Sequence, residues 1–178
     1  MARLEKVKIE KVWADEIFYA SNTATVDVTA PPGVLFTADS TITGDATFAV
    51  VNCQLTENLG VITANVEYMV QEELTVQVDA APGPDDFDLE YAFRFEETYE
   101  FQKAILPVDV DIENLRCQVF RLSGTVALEN VDLPEGESEG SFDNVVSLMT
   151  KLKLSEEIQT FVALGAAPNV QTVEVTVN

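Results

Sequence analysis

Four acids crowd together at Asp85, Asp86, Asp88 and Glu90, directly after the turn-forming Pro82-Gly83-Pro84. Hard carboxylate oxygens on a loop suit calcium, so these four are the candidate ligands for a cation. DDFDLE does not follow the twelve-residue pattern of a helix–loop–helix calcium site, and a charge run in a turn has a plain alternative, solvation. The same holds for Glu135, Glu137 and Glu139 in LPEGESEGS. The two cysteines, Cys53 and Cys117, lie too far apart for a CxxC or zinc spacing. They read either as two small buried hydrophobes or as a cross-link, within or between subunits, formed in an oxidising environment.

Nucleophilic and acid–base chemistry is poorly supplied. The chain has no histidine, which removes Ser-His-Asp and Cys-His arrangements, an imidazole base and His-ligated zinc or iron. Glycoside hydrolysis needs only two carboxylates, but no pair here is marked out by its neighbours, and Trp13 is the single tryptophan. Neither GxGxxG nor GxxxxGK[ST] occurs. The sequence therefore reads as a non-enzyme, with no catalytic residue, no cofactor site and no assigned metal ligands, calcium being the one cofactor it leaves open.

The charge is lopsided. Among 178 residues, 31 acids face 10 bases, a net charge of −21. Such a chain does not track nucleic-acid phosphates, which takes Lys and Arg to displace counterions. From Val12 to Phe93 there are 14 acids and no base, whereas residues 1–11 hold Arg3, Lys6, Lys8 and Lys11 against Glu5 and Glu10. The first eleven residues thus form a basic arm on an acidic body. Docking of that arm on the body of a neighbouring copy would weaken with salt; the alternative is a solvated acidic surface that keeps the chain apart.

The elements that position these residues follow from periodicity. In 61–79 the side chains of Ile62, Ala64, Val66, Tyr68, Val70, Leu74, Val76 and Val78 share one parity. In 89–101, Leu89, Tyr91, Phe93, Phe95, Tyr99 and Phe101 do the same. A period of two built from Val, Thr, Phe and Tyr means strands with one buried face. Runs this long bend at a bulge or pass between two sheets. Pro31-Pro32-Gly33, Gly44-Asp45, Asn58-Leu59-Gly60 and the stretch 82–86 punctuate them as turns. Short connections without helices predict a mainly β fold, an antiparallel β-sandwich or barrel-like domain over 12–132.

Residues 133–141 read as an acidic, Gly-rich linker. Beyond it Phe142, Val145, Val146, Met149 and Leu152 recur at three- and four-residue steps, which predicts a helix. Ser155 with Glu156 and Glu157 reads as the cap of a second helix, apolar at Ile158, Phe161 and Val162 and ended by Gly165. Val173, Val175 and Val177 alternate as a terminal strand. The expectation for 142–178 is a short helical segment followed by that strand, which is available to pair with a neighbour's sheet edge or to close its own domain.

The runs STITGDATFAVVNCQLTENLGVITANVEYMVQEELTVQV and LEYAFRFEETYEFQKAILPVDV resemble the SPOCS domain of SipL-like spore-coat-associated proteins, over roughly residues 30–130. The resemblance implies a non-enzymatic, β-rich protein made in the mother cell and assembled onto the endospore. It would form homo-oligomeric rings or filaments of a surface layer or appendage fibre, with other spore-surface proteins as further partners. MARLEKVKIEKVW carries no apolar signal region and no stretch is long enough to span a bilayer. The expected address is mother-cell synthesis without a signal peptide, then the coat, exosporium or appendage. The alternative is a calcium- or carbohydrate-binding β-sandwich adhesion module.

Overall fold

The computed structural model describes residues 3–78, 86–104, 106 and 111–164. Six antiparallel strands carry almost all of them. They are β1 (Arg3–Thr29), β2 (Thr41–Asn58), β3 (Val61–Gln77), β4 (Phe87–Glu100), β5 (Leu115–Asp132) and β6 (Glu139–Leu164), with one 3-10 turn at Ile112–Asn114 before β5. Two three-stranded sheets result, ordered β1-β6-β5 and β2-β3-β4. The mainly β, sandwich-like reading holds, and among the described residues no closed barrel forms.

The central strands β3 and β6 supply most of the core, because each is flanked on both sides and has one face turned to the opposite sheet. On β3, Ile62, Ala64, Val66, Tyr68, Val70, Leu74 and Val76 are all buried, the parity read from the sequence. On β6, Phe142, Val146, Leu148, Leu152 and Leu154 are buried in the same alternation. Strands of 14 to 27 residues stay in register by accommodating bulges. Registers shift at Val12/Ala14 in β1, Val50/Asn52 in β2 and Val119/Arg121 in β5. The residues between, Trp13, Val51 and Phe120, lose their cross-strand partner, and Phe120 is 71% exposed.

Turns obey local chemistry. Leu59 and Gly60 between β2 and β3 both have positive φ, 53° and 82°, as a two-residue hairpin of the primed type requires. Gly60 N donates to Glu57 Oε1 at 2.6 Å. The segment after β1 folds over one end of the sandwich. There Phe36 is buried, its N–H donating to Glu137 O (2.8 Å) while its carbonyl accepts from Gly136 N (2.9 Å).

Three expectations fail. The helices expected from 142 to 165 are strand as far as Leu164, and Gly165 lies outside the described residues. Residues 133–138 of the expected linker are the connection of a β5–β6 hairpin, and 139–141 already belong to β6. The apolar residues of 142–152 fit both periods. What decides is that β6 pairs along its length with β1 and, over residues 141–156, with β5 as well, saturating its backbone between two neighbours. Gly44-Asp45 is likewise no turn but strand, paired with Leu74 and Glu73 of β3. A Cβ at Gly44 would stand 2.8 Å from Leu74 Cδ2, so glycine serves close approach here.

Candidate functional site

Two inward positions of β6 that should be apolar are not: Asn144 and Thr150, both fully buried. Each meets a polar partner on β3 across the sandwich. Asn144 Nδ2 donates to Glu72 Oε1 at 2.7 Å. The Thr150 and Tyr68 hydroxyls are 2.8 Å apart, and Tyr68 reaches the Tyr99 hydroxyl of β4 at 3.0 Å. Burial pushes both phenols above the ordinary tyrosine range, so they remain neutral hydroxyls that donate as well as accept. These bridges tie the two sheets at fixed register where apolar packing alone would let them slide.

The Glu72–Asn144 pair stands where two apolar clusters meet. Val70 and Val146 belong to one cluster, Leu74 and Phe142 to the other. Glu72 is 2% exposed, and burial raises its carboxyl pKa against the opposing effect of the Asn144 hydrogen bond. Among the described residues Glu72 Oε2 and Asn144 Oδ1 have no hydrogen-bond partner. Glu72 also lines a slot of about 210 Å³ between the edges β2 and β5. Ala46, Phe48, Leu74, Val126 and Leu128 form its apolar walls, and Asp45 stands at its rim. Gly124 keeps the seam narrow; a Cβ there would run into the Leu148 side chain and approach Phe48 to 3.2 Å. Sequence reading passed over Glu72, although its even number places it in the buried parity of β3.

The same β2–β5 seam is locked farther along by a disulfide between Cys53 and Cys117, Cα atoms 6.0 Å apart. The cross-link reading is therefore the one the structure realises, within one subunit. The opposite seam, between β1 and β4, is closed by Glu16, whose two carboxylate oxygens accept the backbone N–H groups of Gln102 and Lys103 at 3.2 and 2.8 Å. Phe18 stacks on Tyr99 and meets Phe101 edge-on beside it.

Among the described residues, β1 and β6 run on without a third strand beyond Leu115, the first residue of β5. Arg3–Glu10 pair with Glu157–Leu164 as a two-stranded ribbon. Residues 6–12 are exposed on both faces, including Val7, Ile9 and Val12. The expected basic arm is thus the free end of a strand. Its bases are partly spent at home: Lys8 pairs with Glu157, and Lys11 Nζ sits 3.9 Å over the Trp13 ring. At the ribbon's root Glu10 accepts from Lys153 (2.8 Å) and Ser155 (2.7 Å), and those bonds hold its carboxyl below the usual range. Ser155, expected as a helix cap, is fully buried at that root.

The acids singled out for calcium have other duties. Asp86 Oδ1 accepts from Val78 N (3.1 Å), Asp88 Oδ1 accepts from the Thr75 hydroxyl (2.9 Å), and Asp85 lies outside the described residues. Glu135 and Glu137 are exposed in the β5–β6 connection, and Glu139 opens β6. Among the described residues no three acidic or cysteine side chains gather as a metal site needs. The terminal strand expected at Val173–Val177 also lies outside the described residues. No described helix is long and apolar enough to cross a membrane. No protein family, curated protein or solved structure matches the chain.

Proposed function

We propose that this chain is a non-enzymatic structural subunit that assembles with copies of itself into rings or filaments of an endospore surface layer or appendage. The observation that carries this reading is the bare β1–β6 ribbon. An isolated two-stranded ribbon is marginal in water, and among the described residues β1 is an edge strand over all of its 27 residues. Unpaired N–H and C=O groups along such an edge are a template for another strand.

Charge selects the partner edge. Residues 3–11 carry four bases against two acids, whereas β4, an edge of the other sheet, carries five acids and one arginine. A basic edge on one side and an acidic edge on the other favour head-to-tail addition of a second copy. A contact of that kind closes into a ring or continues as a filament, depending on its rotation. The intrachain disulfide suits a subunit whose working place is oxidising. The spore setting itself comes from the resemblance of residues 30–130 to the SPOCS domain.

Negative-stain electron microscopy at low and high ionic strength tests the reading. Uniform rings, stacks or filaments are expected at low salt. They should shorten or disperse near 1 M salt, where the screening length falls to about 3 Å. Small monodisperse particles under both conditions would overturn it.

A further inference from the structure

The slot beside Glu72 has features that the sheet does not need for its own stability. A sandwich core is served by apolar contacts, and a buried carboxyl is costly unless every lone pair is used. Here one carboxylate oxygen and the facing amide oxygen both lack a donor. When Glu72 is ionised its Oε2 finds no hydrogen within the chain, so a ligand for the ionised form is a donor. The slot walls are hydrocarbon and the rim carries Asp45, so the donor arrives on an apolar stem and is positively charged. A primary ammonium meets these demands: three N–H groups on one centre, and a methylene chain to lie against Phe48, Leu74, Val126 and Leu128. A divalent cation does not, because it wants six or more oxygens and the side chains lining the slot offer two carboxyls and one hydroxyl. The chain's net charge of −21 concentrates cations at its surface.

We propose that the seam between β2 and β5 is a binding site for a primary alkylammonium group, with Glu72 as its anion, Asp45 as a second negative charge at the mouth and the slot walls holding its stem. Ala46 lies directly opposite Glu72 in the β2–β3 register and controls the room above the carboxyl. Such a group comes either on a free small amine or on a lysine side chain of another copy. The site stands apart from the assembly proposal, since binding is read equally well on a monomer.

n-Butylammonium chloride is titrated into the intact, oxidised protein by calorimetry and thermal shift, with n-butanol and tetramethylammonium chloride as controls. Butylammonium is expected to bind and raise Tm, while the two controls at equal concentration do neither. Glu72→Gln should weaken binding at least tenfold. Ala46→Leu, which fills the slot and leaves the carboxyl intact, should do the same, so the test survives if the Gln variant misfolds. Dispersal of wild-type rings or filaments by butylammonium, together with failure of Ala46→Leu to assemble, identifies a neighbour's lysine as the natural occupant; assemblies unchanged in both identify a free amine. Equal shifts with butanol or tetramethylammonium, or binding retained in both variants, or no binding to the wild type, would overturn the proposal.

Discussion

Asn144 on β6 and Glu72 on β3 face each other across the sandwich, Nδ2 to Oε1 at 2.7 Å, at the junction of the two apolar clusters. Burial lifts the Glu72 carboxyl above its ordinary range. With the folded pKa above the unfolded one, near 4.3, the contribution of the neutral pair is fully present below the unfolded value. It is lost as pH rises through the folded value. Glu72→Gln cannot ionise, so its stability relative to wild type should climb with pH. We expect the two proteins to be closely matched near pH 4, and the variant to be more stable by about 1–3 kcal/mol at pH 7, the range for an unsatisfied buried group. Glu10, Asp143 and Glu157 have lowered pKa values through their hydrogen bonds and lose their contribution as pH falls, but they are common to both proteins and cancel. Urea melts at four pH values decide the matter; a gap that stays flat with pH would show that Glu72 does not titrate.

A second bridge lies two β3 repeats away. Tyr68 serves Thr150 and Tyr99 at once, so Tyr68→Phe orphans two buried hydroxyls. The expected cost is about 1–3 kcal/mol, read as a lower urea midpoint at constant m. Thr150→Val added to Tyr68→Phe should cost less than the sum of the single changes, because the pair shares one bond. Strict additivity would mean that the bond contributes nothing.

These two bridges explain what the sequence discloses and what it hides. The parity of β3 is plain over Ile62–Val78, and Glu72 sits inside it as the one acid on a buried face. On β6 the signal fails at the bridging residues. Asn144 and Thr150 interrupt the inward alternation of Phe142, Val146, Leu148, Leu152 and Leu154, and once they are discounted as polar the remaining apolar residues fit helical spacing. Polar residues that serve a partner far away in sequence erase the local pattern on which periodicity depends. Gly44 misleads for a related reason: its small size answers to Leu74 and Glu73 across the ladder rather than to a turn. The disulfide too is non-local, so spacing left two readings of Cys53 and Cys117 open until β2 and β5 were set side by side.

That disulfide closes a loop of 64 residues and links one sheet to the other. In the chain-entropy account a loop of this length stabilises by about 4 kcal/mol. Reduction by dithiothreitol, or the Cys53→Ala, Cys117→Ala double variant, should lower Tm by roughly 8–16 °C, given about 2–4 °C per kcal/mol for a domain of this size. A scan with and without reductant checks this. An unchanged Tm would place the stabilisation of the β2–β5 seam in its side-chain packing instead.

The ribbon makes the sharpest separation between folding and assembly. Val7 and Ile9 are 37% and 40% exposed, and among the described residues no third strand beyond Leu115 covers the pair they belong to. Their side chains contribute little to the core, so Val7→Glu with Ile9→Glu should move the melting temperature by no more than a degree or two, a surface-level effect of about 0.5 kcal/mol. The same substitutions put charge on the apolar surface that a neighbouring strand would cover, as natural edge strands do to prevent pairing. Assembly should fail while the fold persists, seen as loss of rings or filaments by electron microscopy and a shift to the monomer in sedimentation. If the double variant assembles like the wild type, the contact lies elsewhere, and the acidic edge of β4 is the next place to substitute. If it unfolds instead, the ribbon belongs to the folding unit and its exposure in a single subunit is not a docking surface.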